Sequence, residues 1–378
     1  MKISLKNLGH MNLIAKAPQN VQPHYMVQLD ALRAFAVLGV LVHHFLPQEF
    51  FLNSKFHWGP LGVRFFFVLS GFLITGILLR CKELVDSSQQ DTWFTIKRFY
   101  MRRFIRLIPI YYLTIFLTII IAGSQIKNSL NWHLIYTSNI YFSLNKWDEV
   151  TSHFWSLSVE EQFYVFWPIV IIFLPKKYLL PAIISTIFIG PVFKLLMIGL
   201  NITNGTREYI LTLACFDSLG FGALLAFLNY NKQFTRAKKY LRTFSFWIGI
   251  PLFIAFNLMP IPHLNNTIQL SLGDTTASLF FIWLIDSAAR GFNGLAGVIL
   301  ELPCFVYLGK ISYGIYVYHL LVHYTINKIV TYFGLPFPDS IWIRFILYTV
   351  ATIIAAVLSW QLLEKPINAL KHNFEYKK

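Results

Sequence analysis

The sequence predicts an all-α polytopic membrane protein, with about ten transmembrane helices in one bundle. Three observations predict it. The 378 residues are 56% hydrophobic and 17% aromatic but only 13% charged, about half the charged share of a soluble protein. Apolar runs of about 20 residues recur along the chain, each long enough to cross a bilayer as a helix. Lys and Arg between those runs fall mostly on alternate sides, as the positive-inside bias requires.

Taken in order, the runs lie at about 29–46, 60–80, 104–123, 158–174, 178–200, 208–228, 243–260, 267–288, 304–326 and 341–363. The polar stretch before the first run reads as a tail and not as a cleavable signal peptide. The fourth run starts in polar sequence and soon meets Pro168 and Pro175. "DSSQQD", Asp86 to Asp91, is the only soft loop, and no repeat recurs at a fixed period. The expected organisation is a tail over 1–28, a transmembrane domain over 29–364 and a second tail over 365–378.

Between the second and third runs stand Arg80, Lys82, Lys97, Arg98, Arg102, Arg103 and Arg106, and between the sixth and seventh Lys232, Arg236, Lys238, Lys239 and Arg242. The opposite loops hold only Lys55, Lys127, Lys146, Arg207 and Lys328. Both termini are therefore expected on the cytoplasmic side of a cell membrane. The net charge of +15 points to anionic lipid or an anionic cofactor, and no nucleic-acid partner is expected. Cys81, Cys215 and Cys304 are far apart in sequence, so neither a disulfide framework nor a metal site is expected.

Ionisable residues at membrane depth are costly and mark candidate sites. "LDALRAFAVLGVLVHH", Leu29 to His44, carries Asp30 and Arg33 at one end and His43 and His44 at the other. Arg33 and His44 are eleven positions apart, which on a helix is about three turns plus 20°, so they share a face about 16 Å apart. Asp30 and Arg33 have the spacing of a pair. A snorkelling Arg and an interfacial His would explain the helix taken alone.

"FWSLSVEEQFYVFWP", Phe154 to Pro168, sets Glu160 and Glu161 among aromatics, at about the expected depth of His44. A carboxylate beside a His is the recurring arrangement for a general base. Either glutamate pairs with the histidine, or they are interfacial. "GVRFFFVLSGFLIT", Gly62 to Thr75, puts Arg64 near the same outer level. Its Ser70 and Gly71 suit close helix packing. "RFYMRRFIRLIP", Arg98 to Pro109, is a basic amphipathic entry to the third helix, fitting lipid headgroups or a phosphate-rich cofactor. "LGKISYGIYVYHLLVH" sets Lys310, Ser312, Tyr313 and His319 in the ninth run. Asp217, Asp274 and Asp286 are candidates for the same polar cavity, with Arg290 an alternative partner for Asp286.

Together these motifs, with Arg103-Phe-Ile-Arg106, "WSLSVEEQFY", "SYGIYVYH" and the closing "LEKP" (Leu363 to Pro366), resemble the acyltransferase-3 family of integral membrane O-acyltransferases. They stand in family order over about residues 26–367. The resemblance implies transfer of an acyl group, usually acetyl, from cytoplasmic acyl-CoA to a hydroxyl of a cell-envelope glycan or related acceptor. Acyl-CoA would be a co-substrate, with no tightly bound cofactor.

The family's Arg, ten residues, then His falls on Arg33 and His44, not His43. Its paired arginines fall on Arg103 and Arg106. Many members have Asp where this chain has Arg64, and many add a soluble hydrolase-like domain after the last span; here the stand-alone form is expected. The expected site is therefore His44 as base with Glu161 assisting, and Arg33, Arg102, Arg103 and Arg106 holding acyl-CoA. Asp30, Arg64, Ser158, Tyr313 and His319 are expected to support it. A transporter or flippase of an acylated lipid or sugar is the alternative from another class. No oligomeric state follows from the residues.

Overall fold

The structure, a computed structural model, describes residues 26–203, 206–259 and 266–376. Among them every regular element is helical. The principal helices are α1 (Val27–Phe45), α2 (Trp58–Asp86), α3 (Thr92–Ile126), α4 (Phe154–Phe173), α5 (Lys176–Gly199) and α6 (Phe216–Tyr230), then α7 (Thr235–Phe244) and α8 (Ile250–Leu258), joined by one π turn. They are followed by α9 (Asn266–Arg290), α10 (Pro303–Lys310), α11 (Ser312–Phe333) and α12 (Ile341–Ser359).

Among the described residues, eight helical segments are long and apolar enough to cross a membrane, and nine if α10 and α11, bent by 69°, form one span. Each of the ten sequence runs falls on a helix. The run at 267–288 lies on α9, which carries Asp274 and Asp286. Both carboxylates are committed to cations, Asp274 to the buried Arg64 and Lys194 and Asp286 to Arg290 and Lys238 nearer the surface. The outward faces of the other spans are apolar and unpacked, as with Phe116, Ile120 and Phe188, which is how a helix meets lipid tails.

Two boundaries matter for the site. Asp91 caps α3, accepting from the Phe94 N–H at 2.8 Å, the usual N-cap arrangement. The basic run Arg98–Arg106 therefore lies inside a 35-residue helix, with its cations fixed at helical spacing. Helix α1 is enclosed by α2, α10 and α11, and Ala31, Ala34, Val37 and Leu41 on it are fully buried.

Close backbone approach organises the bundle where α2 crosses α6. A Cβ on Gly71 of α2 would lie 2.0 Å from the Leu219 carbonyl oxygen of α6, and one on Gly222 of α6 would lie 1.9 Å from that of Val68. Only glycine allows these helices to touch backbone to backbone. The packing role expected of Gly71 is thus correct. Its neighbour Ser70 instead turns into a polar site. Lys310, expected inside the bundle, is exposed at the end of α10, where the chain bends into α11.

Candidate active site

Three cavities lie in series along α1. The first is a narrow slot of about 90 Å³ at the Arg33 end, lined by Arg33, Arg103, Arg106, Glu160, Tyr164 and Tyr313 among others. The second, of about 380 Å³, holds His43, His44, Ser152, His153 and Tyr316 in its wall. The third, of about 730 Å³, is polar, with His44, Asp148, Glu149, His323, Asn327 and Lys328 around it. Val63 and Tyr316 border both the slot and the second cavity. His44 and Ser152 border both the second and the third.

Helix geometry explains this alignment. Arg33 and His44 sit on one face of α1, as their spacing requires, and open onto opposite ends of the series. Arg33 donates to Asp30 at 2.7 Å. In the slot, Ser70 Oγ donates to Glu160 Oε1 at 2.8 Å, and the Tyr164 hydroxyl lies 3.1 Å from Glu160 Oε2. Arg103 stacks over the Tyr164 ring at 5.0 Å, a cation–π contact. Tyr313 donates to the Leu107 carbonyl at 2.9 Å, tying α11 to α3. Lys371 lies within electrostatic range of Arg102, Arg103 and Arg106. Of the charged side chains that line the slot, Arg33, Arg103 and Arg106 outnumber Glu160, an excess of positive charge that favours an anion.

At the other end, His44 belongs to an imidazole cluster. Its ring centroid is 4.9 Å from that of His319, which is 4.7 Å from that of His153. His319 Nδ1 is 2.5 Å from the Tyr316 carbonyl oxygen, and His153 Nε2 is 3.1 Å from that of Val317. A carbonyl only accepts, so each of those nitrogens carries the proton. The opposite nitrogens, His319 Nε2 and His153 Nδ1, are bare acceptors, buried and without a hydrogen-bond partner. Burial, with the His44 imidazole beside it, pushes the His153 ring down to about 3, so it is neutral at ordinary pH.

Several expected residues are brought together: Arg33, Arg103, Arg106 and Tyr313 in the slot, and His319 beside His44. Others are not. Neither cavity bordered by His44 includes Glu160 or Glu161. Glu160 is seven residues beyond His153 along α4, a drop of about 10 Å, so it reaches the slot. Glu161 points away from both histidine cavities, toward the phenols of Tyr111, Tyr112, Tyr136 and Tyr313. Arg102 donates to the carbonyls of Lys371 and Phe374 at 3.0 and 3.4 Å, fastening the C-terminal turn and not lining the slot. Ser158 accepts from the Ser138 N–H at 3.1 Å and donates to the Phe154 carbonyl. It anchors a neighbouring helix, Ser138–Leu144.

Arg64 is fully buried and pairs with Asp274 at 2.7 Å. Lys194 joins Asp274 at 3.0 Å and Asp217 at 3.5 Å, closing a quartet of two cations and two carboxylates. Asp217 and Asp274 are thus together as expected, but against cations and outside the three cavities; Asp286 is apart, with Arg290. His153, Ser156, Tyr316 and Lys194 escaped the sequence reading. Lys194 alone carried a usable signal, an isolated lysine in an apolar run. Among the described residues no group of three or more His, Cys, Asp or Glu is placed to hold a metal ion.

Against known proteins, a family model described as an acyltransferase domain, that of the acyltransferase-3 family, matches residues 26–361. The chain is 30% identical over 365 residues to the O-acetyltransferase OatA of Staphylococcus aureus strain NCTC 8325, covering 91% of this chain and 57% of that protein. The same figures hold for OatA of strain COL. The chain thus spans little more than half the length of these relatives. No solved structure matches it. A family match over nearly the whole helical bundle leaves one assignment: the chain belongs to the acyltransferase-3 family.

Proposed function

We propose that this chain is an integral membrane O-acyltransferase. It moves an acyl group, acetyl in the simplest case, from acyl-CoA to a hydroxyl of a cell-envelope glycan or related acceptor. The observation that carries this reading is the series of three cavities, with three arginines and one glutamate lining one end and His44 between the other two. The Lys and Arg bias supports a placement with the arginine end and both termini on the cytoplasmic side of the cell membrane.

In this reading Arg103 and Arg106 hold the CoA phosphates at the slot mouth, since guanidinium suits phosphate geometry, with Arg33 beside them. A slot of about 90 Å³ leaves the nucleotide outside, and widens to take the thread-like pantetheine arm. The polar third cavity, of about 730 Å³, is within the range of small-molecule sites and takes the acceptor. His44 removes the proton from the acceptor hydroxyl as its oxygen bonds to the thioester carbonyl carbon. Collapse of the tetrahedral adduct breaks the carbon–sulfur bond, and the departing thiolate takes the proton from His44. His319, whose ring is next to His44 and whose Nε2 has no hydrogen-bond partner, is the group available to orient His44 in place of a carboxylate when the site closes on its substrates.

The test uses the purified full-length chain with acetyl-CoA labelled in the acetyl group, and hydroxylated glycans as acceptors. Label appearing on the glycan, lost on His44→Ala, supports the reading. No label transfer and no binding of acetyl-CoA would refute it.

A further inference from the structure

The donor slot and the cavity beside His44 are separate spaces, yet acyl transfer needs a thioester from one to meet a hydroxyl in the other. Val63 and Tyr316 form the shared wall. Tyr316, on α11, is the side chain with reach. Its hydroxyl lies 2.5 Å from Ser156 Oγ and 3.2 Å from the His153 carbonyl oxygen, both at the start of α4. Ser156 Oγ also donates to that carbonyl at 3.1 Å. The ring lies 5.5 Å from His153 and 5.6 Å from His319.

We propose that Tyr316 is a gate between the donor slot and His44, latched shut by Ser156 and the His153 carbonyl. The inference rests on the acyltransferase reading for its purpose, but not for its geometry. Swinging the ring aside breaks hydrogen bonds to α4 and joins the two spaces. Closed, it keeps water in the outer cavities from the thioester. Were water to reach it beside His44, the water oxygen would bond to the carbonyl carbon and the carbon–sulfur bond would break. Acetate and CoA thiol would leave with no acceptor modified, the wasteful reaction that closed sites suppress. Tyr316 is thus a positioning residue, acting on access and not on the reacting atoms.

The experiment places a cysteine at Leu73, which lines the slot and is half-buried, in a chain whose exposed Cys304 is replaced by serine. A membrane-impermeant thiol reagent is applied from each face in turn, using right-side-out and inverted vesicles. With Tyr316 intact, Leu73→Cys is labelled from one face only. With Tyr316→Ala it is labelled from both, and Tyr316→Phe, which keeps the ring, falls between. An identical pattern in all three overturns the gate.

A second arm measures acceptor-independent release of CoA thiol from acetyl-CoA. Tyr316→Ala raises it about tenfold while transfer falls, and Ser156→Ala raises it less. Unchanged release and unchanged transfer in a variant that labels from both faces would remove the sealing role. If the wild-type chain neither binds nor consumes acetyl-CoA, the acyltransferase reading fails, and the labelling arm still decides whether Tyr316 closes the passage.

Discussion

The quartet of Arg64, Lys194, Asp217 and Asp274 and the trio of His44, His153 and His319 are both polar clusters inside the helical bundle, and they are built on opposite terms. In the quartet two cations face two carboxylates. Asp217 also accepts from Thr275 Oγ1 at 2.7 Å and from the Ser218 N–H at 2.8 Å. Arg64 donates to Asp274 and to the Tyr209 carbonyl, and its guanidinium lies 4.6 Å over the Tyr209 ring. In the trio, two rings are fixed through one nitrogen each and keep the other bare. His44 borders two cavities; none of the four quartet residues borders any of the three. Buried charge alone does not mark a site here. A place on a cavity wall does: Arg64 Nε and Nη1 are also buried without a partner, yet Arg64 borders none of the three cavities, whereas His44 and His153 do.

The largest effect that follows is on folding. Removing one carboxylate of the quartet strands a cation, a loss of about 3–5 kcal/mol. Asp274→Ala should therefore cost most of the monodisperse protein recovered in detergent and lower the melting temperature. Removing a cation and an anion together restores the balance, so Arg64→Met with Asp274→Leu should recover much of the loss. Equal damage from the single and the double variant would break the comparison, because it would mean those side chains are needed individually.

Next in size is the loss of chemistry without loss of structure. General-base catalysis contributes about 10²–10⁴-fold, so His44→Ala should lower kcat for acetyl transfer by about that factor at an unchanged melting temperature. His43 is one position round the helix, about 100° away, and its substitution should cost far less. Should His43→Ala and His44→Ala prove equally inactive, the face assignment on α1 would be wrong.

The helices, the pairing of Asp30 with Arg33 and the shared face of Arg33 and His44 were legible because helical periodicity is local: spacing along the chain converts directly into angle and rise. The partner of His44 was not. Matching Glu161 to His44 required the depth of α4, and its start was read four residues late, at 158 and not at Phe154. That shift is about one turn. It moved a carboxylate up to the histidine and hid His153, which stands there. The setting of Arg64 was hidden for the same reason, since its partner Asp274 is 210 positions away, and no periodicity reports on contacts between distant helices. Family resemblance supplied Arg103 and Arg106, but the tail that engages Arg102 lies beyond the matched segment.

A smaller effect probes the ring beside His44. His319→Phe keeps an aromatic of similar shape but removes both the bond to the Tyr316 carbonyl and the bare Nε2. If Nε2 orients His44, kcat should fall about 10–100-fold, part of the range ascribed to general-base catalysis, with KM for acetyl-CoA unchanged. The lost hydrogen bond should cost about 1 kcal/mol of stability. A steady-state comparison showing only the stability loss would reduce His319 to packing and leave His44 to act alone.

The smallest effect separates neighbouring arginines on one helix. Arg106 lines the slot, whereas Arg102 spends its guanidinium on the Lys371 and Phe374 carbonyls and lies 5.5 Å over the Tyr376 ring. Arg106→Ala should raise KM for acetyl-CoA about tenfold, equivalent to about 1.4 kcal/mol of binding. Arg102→Ala should leave KM within about threefold and instead loosen the C-terminal turn, at about 1 kcal/mol for the lost hydrogen bonds. Limited proteolysis near Lys371 would read that loosening directly. The result that would overturn this assignment is an Arg102→Ala enzyme with a tenfold higher KM and an unchanged digestion pattern. It would mean that the C-terminal turn moves aside for the donor, and that Arg102 is released to it when acyl-CoA arrives.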